Sequence, residues 1–212
     1  VRSAEVGSRI SLLHWNIYAG PLRNKNLQPF LIQFFCFFIS FSLFFSGFPL
    51  FAEHRLAYGP KEVGYVFAYT GLLGLIIQGG LLGKWVKRWG ELSLVKWGLY
   101  SMVIGYLILA TSFHLSTLLI AATVSAFGTA VLRPALTALI SKQTPPEHQG
   151  LTLGLSQSMN SVAQIFAPIL AGAMIEHAPL WTWAVVSAAI VGVAILFMKR
   201  AREAQARIES LT

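Results

Sequence analysis

One arginine lies inside a long apolar segment, where a charged residue is unusual. Arg133 is part of the stretch GTAVLRPALTALIS (128–141), whose other residues are apolar or small. Hydroxyl residues recur around it at intervals of four, which on a helix forms one continuous face: Ser125, Thr129, Thr137 and Ser141. Such an arginine can bind a polar or anionic substrate group or pair with a carboxylate from another segment. It can also cap backbone carbonyls that Pro134 loosens, and all three roles stay open.

Three other apolar segments carry polar side chains at helical spacing. One face of the apolar segment 151–175 holds Gln157, Asn160, Ser161 and Gln164. The segment 27–51 has Gln33 and Ser40 two turns apart, and the segment 63–83 has Tyr65 and Tyr69 one turn apart. We predict that these residues, with Thr129, Arg133 and Thr137, line a cavity and contact a small-molecule substrate. The alternative is that the hydroxyl and amide groups only join neighbouring helices.

The acidic residues exclude several chemistries. All eight are glutamates, none lies inside an apolar segment, and the five histidines also fall outside these segments. The segments therefore hold no acid pair, nucleophile–base pair or metal-ligand cluster, and we predict no enzyme activity, no metal and no cofactor. Proton coupling normally uses a buried Asp, Glu or His. If protons are partners, their carrier is expected outside this chain.

Long apolar segments must position the polar side chains. The chain is 55% hydrophobic and 11% charged, whereas a soluble domain has about 25% charged residues. About 20 apolar residues cross a bilayer, and six segments reach that length: Leu27–Phe51, Val63–Gly83, Leu94–Ser112, Ser116–Ile140, Leu151–Ile175 and Leu180–Met198. We therefore predict an all-α, multi-pass integral protein of the cell or inner membrane.

The basic residues predict how the spans are oriented. Most of the 16 Lys and Arg residues lie in the N-terminal segment (1–26), the second and fourth connections, and the C-terminal tail (199–212). By the positive-inside rule these parts, and hence both termini, are cytoplasmic. The net charge of +8 is then a topology signal and an attraction to the lipid bilayer, so no nucleic-acid partner is predicted.

Two further patterns concern how the spans are arranged. A constant offset places Pro60 on Pro146 and Gln78 on Gln164, in spans of opposite direction, which predicts an inverted repeat of three helices plus three. The third and sixth spans are poorest in polar residues, so we expect them to face lipid. Glycines of the second span are expected to mark close helix packing: Gly71, Gly74, Gly79, Gly80 and Gly83.

Two stretches of the chain carry a family resemblance: FAYTGLLGLIIQGGLLGKWVKRWGE (67–91) and RPALTALISKQTPPEHQGLTLGLSQSMNSVAQIFAPILAG (133–172). Both resemble the C-terminal half of a major facilitator superfamily (MFS) transporter. The resemblance is greatest to drug:proton antiporters of the tetracycline-resistance and multidrug-efflux type. It implies that residues 27–198 form a six-helix half-bundle and that a missing N-terminal half of six spans precedes residue 1. Substrate would bind between the halves, and residues 1–26 would end the central cytoplasmic loop.

The first stretch contains a degenerate copy of the MFS loop signature, glycine-x-leucine-x-aspartate-arginine-x-glycine-arginine. The copy begins at Gly83; Arg88 and Gly90 match, whereas Lys87 replaces the aspartate and Glu91 the final arginine. The resemblance implies a gating role for Gly83, Lys87, Arg88 and Gly90. The alternative is a basic anchor that only sets topology.

The leading hypothesis is proton-coupled efflux of a small amphiphilic compound by a protein whose C-terminal half is this chain. A sugar or metabolite porter of the same fold is one alternative. A homodimeric six-span channel or scaffold is another, from a different class. The coding region upstream of Val1 distinguishes the channel from the half-transporter. Six further spans there would contradict the channel, and a start codon with no upstream spans would contradict the half-transporter.

Overall fold

The structure is a computed structural model that describes residues 24–209, and this range consists of helices with short connections. It contains the α-helices α1 (Gln28–Leu56), α2 (Pro60–Ile76), α3 (Leu82–Trp89), α4 (Glu91–Ala110), α5 (Leu115–Lys142), α6 (Gln149–His177), α7 (Leu180–Leu196) and α8 (Met198–Glu209). A π-helical turn (Ile77–Leu81) joins α2 to α3, and a 3-10 turn (Pro146–His148) precedes α6. Six stretches of this range are long and apolar enough to cross a membrane. One of them, Pro60–Trp89, comprises α2, the π turn and α3, and another, Leu180–Arg207, comprises α7 and most of α8.

The prediction of six spans in an all-α membrane fold is confirmed. Several helices continue past the apolar segments, α1 as far as Leu56 and α5 as far as Lys142, because only the part inside the hydrocarbon layer must be apolar. The predicted C-terminal tail forms α8 as far as Glu209. Residues 1–23 of the predicted loop lie outside the described residues, and the cytoplasmic location of both termini stays a prediction.

The spans pack in a pattern that repeats between the two halves of the chain. The fifth span (α6) packs along the first (α1), and in the same way the second span (α2) packs along the fourth (α5). The sixth span (α7) packs on the first (α1), and in the same way the third span (α4) packs on the fourth (α5). The third and sixth spans contact each other. Exchanging the first three spans with the last three leaves this pattern unchanged, as an inverted repeat requires.

Close helix packing depends on glycines other than those predicted. A Cβ added to Gly105 would lie 2.8 Å from the backbone nitrogen of Ser125, and one on Gly128 would lie 2.7 Å from the carbonyl oxygen of Gly98. Helices α4 and α5 therefore meet backbone to backbone. The five glycines of the second span have open space where a Cβ would be, so the packing prediction is wrong for contacts within this chain.

Exposure differs between the spans. In α2 only Val63 and Val66 are buried, and on α6 the side chains of Ile165 and Ile169 are 63% and 66% exposed. The third and sixth spans bury one face and expose an apolar face, as Trp97 on α4 illustrates. The expected lipid contact therefore applies to one face of these two spans, because their other faces pack inside the bundle.

Candidate functional site

An aromatic cavity of about 470 Å³ opens between α1, α2 and α5. Four phenylalanines line it, together with small, aliphatic and polar residues of α2, α4, α5 and the π turn: Phe41, Phe44, Phe45, Phe67, Thr70, Gly71, Gly74, Leu75, Gln78, Tyr106, Ser125, Ala126, Thr129 and Ala130. None of these described lining residues is charged. The first, second and fourth spans all contribute residues near their midpoints, so the cavity lies midway along the bundle.

Stacked rings form the aromatic wall. Phe45 of α1 stacks on Phe67 of α2, with ring centroids 4.6 Å apart and planes 15° apart. Phe44 stacks on buried Tyr106 at 4.9 Å. Phe41, Phe44 and Phe45 fall at i, i+3 and i+4, so the helical period alone brings them to one face. Such a wall binds flat apolar groups by burial and stacking.

The polar groups of the wall are mostly hydroxyls that donate within their own helices. Thr70 donates to the Phe67 carbonyl at 3.0 Å, and Thr129 donates to the Ser125 carbonyl at 3.0 Å. Because a hydroxyl oxygen has two lone pairs, each can still accept a hydrogen bond from a molecule in the cavity. The exposed Gln78 makes no side-chain hydrogen bond within residues 24–209, so its amide offers both donors and an acceptor.

The π turn sets the position of Gln78. The backbone N–H of Leu82 donates to the carbonyl of Ile77, five residues earlier. In an α-helix this bond would reach back only four residues, so the π turn contains one residue more than an α-helical turn. Gly79 and Gly80 follow Gln78, and their low helix propensity favours the departure from α geometry. Single π turns inside α-helices often occur at functional sites.

Arg133 lies one turn beyond Thr129 on α5, roughly 6 Å further along the helix at 1.5 Å per residue. Its side chain is exposed, and its guanidinium carbon lies 5.8 Å from the centroid of the Phe38 ring. Within residues 24–209 no hydrogen bond or ion pair joins this guanidinium to a carbonyl or carboxylate. The three roles considered for Arg133 therefore stay predictions, and a substrate group or an acid from elsewhere is taken up in the proposal below. Thr137, a further turn along, is half-buried and donates to the Arg133 carbonyl at 2.8 Å.

The structure removes Gln33 and Ser40 from the predicted cavity wall. Both side chains are fully buried between α1 and α7. Gln33 Nε2 donates to the Ala194 carbonyl at 3.2 Å, and Ser40 Oγ donates to the Ser187 carbonyl at 2.7 Å. These groups join helices, because α1 turns this face toward the sixth span.

The two tyrosines of the second span lie beside the cavity rather than in it. The Tyr69 hydroxyl lies 2.8 Å from Oγ1 of Thr123 and so joins α2 to α5. Tyr65 is 64% exposed, and Lys61 Nζ lies 6.0 Å from its ring centroid. Neither side chain lines the aromatic cavity.

The polar set of the fifth span stays together on α6. Gln157, Ser161 and Gln164 are exposed, whereas Asn160 is buried and accepts a 3.0 Å hydrogen bond from Gln164 Nε2. Helix α6 contributes no lining residue to the aromatic cavity. Of the residues predicted to line a cavity, only Thr129 is in this wall. The i, i+3, i+4 spacing of the phenylalanines is the sequence signal that identifies the aromatic part of the wall.

Comparison with known proteins decides the family. The model of the Major Facilitator Superfamily matches residues 34–210. The chain belongs to the major facilitator superfamily. Membership places it among transporters rather than enzymes. Within residues 24–209, no group of three or more His, Cys, Asp or Glu side chains is placed to hold a metal ion.

Among MFS proteins the chain is similar to drug-resistance proteins of bacteria. It is 26% identical to the quinolone resistance protein NorA of Staphylococcus aureus (strain Mu50) over 76% of this chain and 42% of that protein. It is 29% identical to multidrug resistance protein 2 of Bacillus subtilis (strain 168) over 60% of this chain and 32% of that protein. The chain thus spans less than half the length of these relatives.

A solved MFS structure shares the fold. The human organic anion transporter MFSD10 matches with a TM-score of 0.73 and 19% identity, over 80% of this chain and 40% of that one. This likeness supports the half-bundle architecture that the packing of the six spans shows.

The degenerate MFS signature forms the tight connection between α3 and α4. Gly90 alone separates the two helices, with φ 75° and ψ 158°, a backbone conformation that is essentially restricted to glycine. Lys87 and Arg88 are exposed, and the Arg88 guanidinium carbon lies 5.7 Å from the Trp89 ring centroid. Glu91, which stands where the signature has a basic residue, forms an ion pair with Lys142 at the end of α5.

Proposed function

We propose that the intact protein exports small amphiphilic, aromatic compounds by alternating access and that this chain forms its C-terminal half. The aromatic cavity carries the proposal. Its volume of about 470 Å³ lies in the range of pockets that hold drug-sized molecules. Its uncharged, phenylalanine-rich wall suits a planar apolar group, and its position midway along the spans is where secondary transporters bind substrates.

The relatives and the exposed spans support the wider assignment. The names of the bacterial relatives refer to quinolone resistance and multidrug resistance, which favours export of drugs over uptake of sugars. The chain spans 42% of NorA, and the exposed faces of the second and fifth spans would suit contact with a further six-span half. Residues 27–198 would then be the C-terminal half-bundle.

Proton coupling is part of the proposal, with the proton carrier in the other half. All glutamates of the chain, including Glu53, Glu62 and Glu176, lie at or beyond the ends of the predicted spans. Arg133 would then meet an acid of the other half or a polar substrate group. Other proposed contacts come from α6 (Gln157, Ser161 and Gln164), and the proposed gate is the signature loop with Gly83, Lys87, Arg88 and Gly90.

The test is transport by the intact protein reconstituted in liposomes. Efflux of a fluorescent planar aromatic dye is measured with and without an imposed pH gradient, and we expect it to require the gradient. Phe45→Ala and Phe67→Ala should raise the half-saturating dye concentration by roughly 2- to 10-fold, because an aromatic pair contributes about 0.5–1.5 kcal/mol. Ile104→Ala, on the exposed face of α4, is the matched control and should leave transport unchanged.

Each alternative gives a distinct result. Transport of a labelled sugar without dye transport would favour the sugar or metabolite porter. Dye flux that is passive and insensitive to any gradient would favour a channel. Equal effects of the Phe45 and Ile104 variants would show that the aromatic cavity is not the binding site.

A further inference from the structure

A second cavity, which we name the basic cleft, lies where α1 begins and α7 passes into α8, and it has a volume of about 300 Å³. Helix α7 ends at Leu196, and the chain continues after Phe197 as α8. Met198, Ala201 and Ala204 of α8 are buried, at intervals of three residues that place them on one face. This small apolar face holds α8 against the start of α1.

Docking of α8 brings basic side chains from distant parts of the sequence together. Lys25, just before α1, lines the cleft with Arg200 and Arg207 of α8. Glu203 is the one acid among the described lining residues, so basic side chains outnumber acidic ones by three to one. The Arg200 guanidinium carbon lies 5.6 Å from the Phe197 ring centroid, a contact that orients the guanidinium at the cleft.

The floor of the basic cleft is apolar. Pro29 and Ile32 of α1 and Phe197 after α7 line it beneath the charged side chains. Pro29 and Ile32 lie in the first two turns of α1, and Phe197 directly follows the last residue of α7. A bilayer that covers the apolar parts of these helices would therefore place the cleft at the boundary between the headgroups and the hydrocarbon layer. A soluble anion would use only the basic rim, whereas a phospholipid would use the rim for its phosphate and the floor for its glycerol and upper acyl carbons.

From this combination we propose that the basic cleft binds the headgroup of an anionic phospholipid. Guanidinium groups bind phosphate oxygens through charge-assisted hydrogen bonds, and basic pockets between membrane helices bind anionic headgroups. The site is separate from the aromatic cavity and shares no lining residue with it. Lipid bound there would link α8 to the start of α1 and hold the two ends of the half-bundle together.

The experiment measures lipid binding to the intact protein in detergent by native mass spectrometry. Phosphatidylglycerol is the probe, phosphatidylcholine the neutral lipid, and glycerol 3-phosphate the soluble anion. The double variant Lys25→Gln/Arg200→Gln is expected to weaken phosphatidylglycerol binding by about tenfold, because each basic residue near an anionic headgroup contributes several-fold in affinity. The unchanged protein should bind phosphatidylglycerol more tightly than the two other probes.

A matched control removes the same charge from the same region. Lys199→Gln/Arg202→Gln alters two exposed residues of α8 that do not line the cleft, and its phosphatidylglycerol affinity should stay within about twofold of the unchanged protein. Circular dichroism of both variants checks that they are folded. Equal loss in the two double variants would reduce the effect to general surface charge and overturn the proposal. Unchanged phosphatidylglycerol binding in the Lys25→Gln/Arg200→Gln variant would also overturn the proposal. The same holds if glycerol 3-phosphate binds the unchanged protein as tightly as phosphatidylglycerol does.

Discussion

Arg133 is a membrane-embedded charge with no acidic partner within residues 24–209. Arg133→Ala removes the guanidinium and keeps the helix, so the protein should still insert. We expect transport to fall by roughly tenfold or more, because a hydrogen bond to a charged group contributes about 1.5–3 kcal/mol. Dye efflux from proteoliposomes, with protein content measured in parallel, checks this. Arg202→Ala, at an exposed residue of α8, is the control, and a normal rate in Arg133→Ala would exclude both substrate contact and acid pairing.

Gly47 is a site where one methyl group would disturb the core. A Cβ there would lie 2.1 Å from Nε1 of the buried Trp183, which donates a 2.7 Å hydrogen bond to the Leu43 carbonyl. Gly47→Ala must therefore displace the indole and should cost about 1–3 kcal/mol. The measurement is the melting temperature in detergent. Gly74→Ala, which has open space around the new methyl group, should not lower it; equal melting temperatures would contradict the predicted clash.

The connection between α3 and α4 depends on the conformation of one residue. Gly90→Ala forces a side chain into the φ 75°, ψ 158° conformation, which costs about 1–3 kcal/mol. We expect a lower melting temperature and a weaker Glu91–Lys142 contact, since Glu91 follows directly. Gly83→Ala in the same signature adds a methyl group to a helical position with open space, where alanine is favoured by up to about 1 kcal/mol. An unchanged or higher melting temperature in Gly90→Ala would contradict the predicted strain at Gly90.

The helices themselves follow from the sequence more directly than the cavity does. Bilayer thickness fixes the length of an apolar segment, so six such segments give six spans whatever their neighbours are. A helical period shows which residues share a face but not which helix that face meets. Gln33 and Ser40 illustrate the difference, because their shared face meets α7 rather than a cavity. Thr129 lies in the wall of the aromatic cavity, because its face of α5 meets α1 and α2.

The exposed faces of the half-bundle differ in what they should meet in the intact protein. Ser161 lies on the polar face of α6, and Ile104 lies on the apolar face of α4. A nitroxide on Ser161→Cys should collide with a water-soluble quencher, whereas one on Ile104→Cys should collide with oxygen dissolved in lipid. Paramagnetic resonance of the reconstituted protein, with Cys36→Ala as background, measures both. Lipid-type accessibility at residue 161 would remove α6 from the proposed cavity.

The hydroxyl groups of α5 have a consequence for the rate at which the molecule can change shape. Ser125, Thr129 and Thr137 each donate to the backbone carbonyl four residues earlier, at 2.8 to 3.0 Å. These bonds move with the helix, so α5 can slide against α1 without breaking them. Packed helices that shear past one another need only small side-chain adjustments. At these three positions, no hydrogen bond between helices has to break during such a shear, so none adds to its activation barrier.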